Sequence, residues 1–254
     1  MSKIDQMKKT WNSPKVWEQL MGGDCVEYED LAGTGEKFVR AMVERFDKYG
    51  KSDLSSSTIL EIGCGTGRFL KPLSKRFTRV IGVDLAQVLL KSASKYCAGL
   101  ANVEYRLNNG TDLRAFDSGS LDYVFSMGVF QHITDFDVIA SYIKEALRVL
   151  KKDGLFFFCF IGIHVKEVGS GTTGAQITAE KLDKALKDTE YTIREISSDS
   201  LNPRQQTMVI VLQKAKTASP MLFSQVPIVD VPFASVAYGE EKDIKVKRLT
   251  FYDE

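Results

Sequence analysis

The chain has 254 residues, 44% of them hydrophobic, with 34 Lys and Arg against 33 Asp and Glu and a formal net charge of +1. That length suffices for one sizeable domain whose core needs neither disulfides nor metals. The balanced charge argues against the clustered basic surface of nucleic-acid and anionic-membrane binders, and no stretch approaches the roughly 20 apolar residues of a membrane span.

The opening MSKIDQMKKTW is polar and predicts no secretory leader, so a cytoplasmic protein is expected. Residues 1–50 read as an N-terminal helical cap, in which Phe38, Met42 and Phe46 form a stripe suited to packing. Trp11 and Tyr28 lie in this segment, where packing is the commoner use of an aromatic ring and capping a ligand the rarer one. The four cysteines, Cys25, Cys64, Cys97 and Cys159, form no C-x-x-C pair and read as buried free thiols. With only His132 and His164 as histidines, the chain offers no structural zinc site, and no metal is expected.

From about residue 57 to residue 214, strand-like and helix-like runs alternate. STILEI reads as a strand, followed after Gly67 by a helix through RFLKPLSKRF, with Pro72 tolerated in its first turns. RVIGVDL is the second strand, and AQVLLKSASKYCAGL places Val88, Leu89, Ala93 and Cys97 at helical spacing. NVEYRLN and LDYVFSMGVF are the third and fourth strands. DFDVIASYIKEALRVLKK is an amphipathic helix, and DGLFFFCFIG has the unbroken apolar character of a strand buried on both faces. TAEKLDKALKD follows with Thr178 as its N-cap, and then EYTIREISS and QTMVIVLQK, joined by a short connection and so antiparallel.

This rhythm predicts an α/β fold: a doubly wound, seven-stranded, mostly parallel Rossmann-like sheet with an antiparallel C-terminal strand pair. The domain runs over 51–214, and 215–254, holding Pro220, Pro227 and Pro232, reads as an extended arm compatible with a homodimer across a subunit interface.

The chemistry concentrates in ILEIGCGTGRF. Gly63, Gly65 and Gly67 follow G-x-G-x-G, whereas a dinucleotide fingerprint wants G-x-G-x-x-G; its last small residue is here Arg68. Glu61 stands just before the loop, where a carboxylate repels a pyrophosphate and suits an ammonium. S-adenosylmethionine carries an ammonium, a carboxylate and no phosphate, and loop N–H groups suit its carboxylate. Asp84 ends the second strand about twenty residues on, the position of a ribose reader in nucleoside sites. The plain alternative for Asp84 is a helix N-cap.

LEIGCGTGRF, GVDLA, SLDYVFSMGVFQHI and YIKEALRVLKKDGLFFF together resemble the motifs of class I S-adenosylmethionine-dependent methyltransferases, in their small-molecule (type 11/25-like) branch, over about residues 56–162. The resemblance implies that Glu61, Gly63, Cys64, Gly65 and Gly67 surround the methionine part of the cofactor. It places Asp84 on the ribose and Leu85 beside the adenine. The loop after the third strand usually offers an acidic residue to the adenine amino group; here Asn109, followed by Gly110, stands there, with Asp112 the alternative. Ser126 and Met127, in the stretch Ser126 to Val129, would pass near the sulfonium.

His132 is the candidate general base for an acceptor that must lose a proton; bordering the cofactor pocket is its competing use. His164 sits in the Gly/Thr-rich loop after the fifth strand, readable as a lid or as ordinary solvent loop. The expected function is methyl transfer to an oxygen or nitrogen of a small molecule such as a sugar, a glycan-linked compound or a secondary metabolite, without a nucleic-acid partner. Two rivals are a nicotinamide-dependent oxidoreductase and a non-catalytic S-adenosylmethionine-binding partner subunit. Arg68 and Glu61 oppose the first, and the undamaged glycine loop opposes the second.

Overall fold

A strand with helices on both faces needs no polar alternate residue, and β1 (Thr58–Ile62) and β2 (Arg79–Asp84) are buried at every position after the first. The computed structural model describes residues 2–13, 28–50, 53–162, 174–175, 177–199, 206–215, 222–226 and 229–230. The chain divides into two units, Met1–Asp112 and Leu113–Glu254.

In the first unit β1 pairs in parallel with β2, Ile59 opposite Val80 and Ile62 opposite Val83. β2 pairs in parallel with β3 (Val103–Leu107), Asp84 opposite Leu107. Parallel pairing puts the ends of all three strands at one edge, so the loops leaving them converge. The helices are α1 (Lys3–Trp11), α2 (Tyr28–Tyr49), α3 (Leu70–Ser74) and α4 (Gln87–Tyr96). α2 buries Val39, Met42 and Phe46, two of them from the anticipated stripe, while Phe38 meets Phe69 edge-on at 5.9 Å.

The helix expected across 68–77 is only the five residues of α3. Gly67, at φ +86°, cannot be helical, and the chain makes a turn before α3, with Leu70 N donating to the Gly67 carbonyl at 3.0 Å. The far end is stopped by a residue distant in sequence. Asn102 Nδ2 donates to the carbonyls of Ser74 (2.8 Å) and Phe77 (3.0 Å), satisfying acceptors that a longer helix would have used.

In the second unit β4 (Leu121–Ser126) pairs in parallel with β5 (Leu150–Gly162). β7 (Gln206–Lys214) pairs antiparallel with both β5 and β6 (Tyr191–Asp199), so the anticipated antiparallel pair is present and β7 lies between the two. α5 (Phe136–Val149) starts at Asp135, whose carboxylate accepts from Asp137 N, and α6 (Ala179–Leu186) starts at Thr178, whose hydroxyl accepts from Lys181 N at 3.2 Å.

α5 ends at Val149 rather than at the expected Lys152, and β5 begins correspondingly early. Within β5, Asp153 adopts φ +65° and a Cβ on Gly154 would lie 2.8 Å from the Asp122 carbonyl, where the register of β5 against β4 shifts between Leu121 and Tyr123. Phe156, Phe157 and Phe158 of β5 are fully buried, each worth about 1.5–3 kcal/mol of transfer free energy. Part of the 215–254 arm folds onto its own chain. Phe223 is fully buried with its N–H on Asp183 Oδ1 at 2.6 Å, and the two-residue strand β8 (Val229–Asp230) pairs in parallel with β6. The rest of the arm lies outside the described residues.

Candidate functional site

The glycine loop is held by the end of β2. Gly63 N and Cys64 N both donate to the Val83 carbonyl, at 2.8 and 3.0 Å, and Gly65 N donates to Asp84 Oδ2 at 2.9 Å. Gly63, Gly65 and Gly67 have φ of 75°, 53° and 86°, the left-handed region that glycine enters without cost. Gly65 faces open space, since a Cβ there would meet nothing within 4 Å. At Gly67 a Cβ would meet Ala93 Cβ at 3.2 Å and Cys97 Sγ at 3.3 Å, so this glycine serves helix packing.

Cys64 turns the other way. A Cβ on Gly82 would sit 2.8 Å from Cys64 Sγ, and the thiol is buried with its pKa pushed well up by desolvation. Only the backbone of Cys64 is left to meet a ligand.

Glu61 is 1% exposed, and among the described residues neither carboxylate oxygen has a hydrogen-bond partner. Burial pushes its pKa well above the ordinary value; the charge of Arg68 opposes this and that of Asp84 adds to it. Arg68 is itself held over the ring of Phe69, 4.4 Å from its centroid. A buried, orphaned acceptor beside an open loop fits a ligand that brings N–H donors and positive charge. Asp84 is 8% exposed and raised in pKa by burial, against the N–H groups of Ala86, Gly65 and Leu85 that favour its ionised form. Its Oδ1 takes the Ala86 N–H at 2.8 Å, while α4 starts at Ala86 with no side-chain cap, so Asp84 braces two loops rather than capping the helix.

The loop after β3 is closed by its own side chains. Asn109 Oδ1 accepts from Thr111 N (2.8 Å) and Asp112 N (3.1 Å), and its Nδ2 donates to Asp112 Oδ1 (2.9 Å). The amide oxygen expected to meet adenine is thus already shared by two backbone donors. Asn108, which sequence reasoning passed over, ties the loop down: its Oδ1 accepts from Gly110 N at 2.7 Å, and its backbone N donates to the Asp84 carbonyl at 2.8 Å. The density of Asn and Asp in NNGTD is the signal that would have marked these turns. Ile4 was passed over as well; it stands beside Leu85 and Gly110.

In the second unit Ser126 ends β4 fully buried, Gly128 turns at φ +71°, and a short 3-10 turn carries Phe130, Gln131 and His132. Met127 Sδ lies 3.3 Å from Cys159 Sγ. Phe130 is buried against Phe158 (centroids 5.6 Å apart) and anchors the turn, leaving His132 half-buried with its N–H on the Val129 carbonyl at 2.9 Å. Gly174 N and Ala175 N donate to the carbonyls of Gln131 and Ile133, at 2.5 and 2.6 Å. The sidedness of Trp11 is intermediate, neither buried nor fully exposed. His164 and the side chain of Tyr28 lie outside the described residues.

The family model described as a methyltransferase domain matches residues 60–158. The chain is 26% identical over 163 residues to a ubiquinone biosynthesis O-methyltransferase of Mesorhizobium japonicum, covering 57% of this chain and 64% of that one. It is 29% identical over 143 residues to the enzyme of the same name from Acinetobacter baylyi, covering 56% and 59%. The match thus spans less than two thirds of either relative. Among solved structures, magnesium protoporphyrin IX methyltransferase of Synechocystis PCC 6803 with bound SAH superimposes with a TM-score of 0.64 at 15% identity, over 84% of this chain and 100% of that one. That likeness concerns the fold: α/β, Rossmann-like, mostly parallel with antiparallel C-terminal strands. The glycine loop, Glu61, Asp84 and the strand end at Ser126 all fall inside the residues that match the methyltransferase-domain model.

Proposed function

We propose that this chain transfers a methyl group from S-adenosylmethionine to an oxygen of a small-molecule acceptor. The observation that carries the reading is the buried, unpartnered carboxylate of Glu61 beside a loop that leaves open space at Gly65. When bound, the cofactor supplies an electrophilic methyl carbon on a sulfonium. Glu61 holds its ammonium, the glycine loop its carboxylate end, and Asp84 its ribose hydroxyls. Leu85 and Gly110 flank the adenine, Asn109 shaping that wall through the loop it closes.

His132 takes the proton from the acceptor hydroxyl, with Ser126 and Met127 bordering the reacting end. Oxygen is favoured over nitrogen because the curated relatives are named O-methyltransferases. A domain over 51–214, flanked by a helical segment and a C-terminal arm, and a cytoplasmic setting belong to the same reading. No helix among the described residues is long and apolar enough to cross a membrane. A homodimer through the arm rests on residues beyond the described part.

The test is calorimetric titration with S-adenosylhomocysteine and, separately, NADH, followed by label transfer from methyl-labelled S-adenosylmethionine to phenols, catechols and amines. Binding of the first ligand and labelling of a hydroxyl are expected. NADH binding without S-adenosylhomocysteine binding, or labelling confined to amines, would overturn the cofactor or the acceptor assignment respectively.

A further inference from the structure

The first helix is not accounted for by the site as described. α1 has nine residues, too few to persist alone in water. Ser2 caps it: the hydroxyl accepts from Asp5 N at 3.1 Å, and Asp5 Oδ2 accepts in return from Ser2 N at 3.2 Å. Ile4, Met7 and Trp11 fall three and four residues apart on one stripe, Met7 buried and Ile4 half-buried. The position of that stripe is informative. A Cβ built on Gly110 would lie 3.7 Å from Ile4 Cγ2 and 3.7 Å from Leu85 Cβ, so Ile4 and Leu85 both approach the bare backbone at Gly110.

We infer that Ile4 is a further cofactor-contacting residue, and that α1 forms the outer wall of the adenine pocket whose detachment releases S-adenosylhomocysteine. The inference rests on the placing of adenine between Leu85 and Gly110 in the proposed function. An adenine ring presents flat, weakly polar faces, and an aliphatic side chain covers such a face without demanding a hydrogen bond. A nine-residue helix with a single buried residue also belongs to the low-stability end of a structure, the part that opens locally while the remainder stays folded. Both properties suit a wall that must shut on the cofactor and let the product leave.

The test uses the full chain and two probes, S-adenosylhomocysteine and 5′-methylthioadenosine, which keeps the nucleoside and lacks the amino acid. In stopped-flow displacement, Ile4→Ala is expected to speed dissociation of both probes about tenfold, the worth of the apolar contact removed. Ile4→Leu, which keeps the apolar volume, should dissociate at the wild-type rate. Ile4→Asp should dissociate faster still. Unchanged dissociation in Ile4→Ala and Ile4→Asp overturns the inference. Asp84→Ala separates the two levels of argument: if it abolishes binding while the Ile4 variants behave as wild type, only the wall is wrong. If it binds both probes normally, the nucleoside site itself is misplaced.

Discussion

Glu61→Gln should make the cofactor-free protein more stable and the enzyme worse. Glu61 is 1% exposed and its two oxygens have no hydrogen-bond partner among the described residues, so its ionised form has surrendered hydration with only the charge of Arg68 in return. An unsatisfied buried polar group costs about 1–3 kcal/mol, more when charged. Burial raises the folded-state pKa above the ordinary 4.5, so the folded protein binds this proton more tightly than the unfolded chain does. The stabilising contribution of the protonated form is therefore complete below 4.5 and is lost as pH rises through the raised value. Glutamine does not titrate and loses nothing over that window. Thermal melts without cofactor should show the variant gaining on the wild type with rising pH, reaching about 2–4 °C per kcal/mol recovered.

Affinity should move the other way. A charge-assisted bond to the cofactor ammonium is worth about 1.5–3 kcal/mol, so S-adenosylhomocysteine should bind about 10–150-fold more weakly to the variant. Wild-type binding should strengthen with pH, because an ammonium needs the ionised carboxylate, while the variant's pH dependence should lack that component. A melting difference independent of pH, together with unchanged affinity, would refute the reasoning.

Asp84→Ala leaves the N–H groups of Gly65 and Ala86 without their acceptor. It should cost about 1–3 kcal/mol in denaturant unfolding and abolish measurable cofactor binding by calorimetry. Two glycine substitutions should separate stability from binding. Gly67→Ala combines a φ of +86° with contacts of 3.2 and 3.3 Å and should lose more than about 2 kcal/mol. Gly65→Ala meets nothing within 4 Å, so it should cost only about 1–2 kcal/mol of backbone strain, but its methyl group enters the cofactor's space and should weaken binding in titration. His132→Ala should lower turnover in a label-transfer assay and leave cofactor affinity unchanged; full activity would remove it from the reaction.

Elements whose signals are local were readable before folding. Thr178 caps α6 because a hydroxyl at that point serves whatever helix follows, and β7 occupies the whole of QTMVIVLQK because its apolar run is bounded by polar residues. What failed depended on partners far along the chain. α3 is short because Asn102 reaches back to Ser74 and Phe77, which no window around Pro72 contains. Within the site, Glu61 and Asp84 were visible as carboxylates at strand ends, but their electrostatic difference was not: Asp84 is met by backbone N–H groups, and Glu61, among the described residues, by no hydrogen-bond donor. Asn109 was read for what it offers a ligand, whereas the nearby N–H groups of its own turn reach its oxygen first. The placing of Ile4 was illegible because its neighbour, the backbone at Gly110, lies more than a hundred residues along the chain.

The placing of β7 between β5 and β6 has a consequence for synthesis. Once Gly162 has emerged from the ribosome, the edge of β5 carrying Phe156, Phe157, Phe158 and Phe160 must wait for β7, whose Gln213 pairs with Leu155. Residues 163–205 separate the two strands, which at roughly 5–20 residues per second means several seconds of a nascent apolar edge with no partner. An unpaired edge of that kind is the template on which chains aggregate. The native connectivity therefore makes the newborn protein a client for whatever holds hydrophobic strands apart. Its yield in a cell should respond to translation speed over residues 163–205 more sharply than to speed over the opening helices.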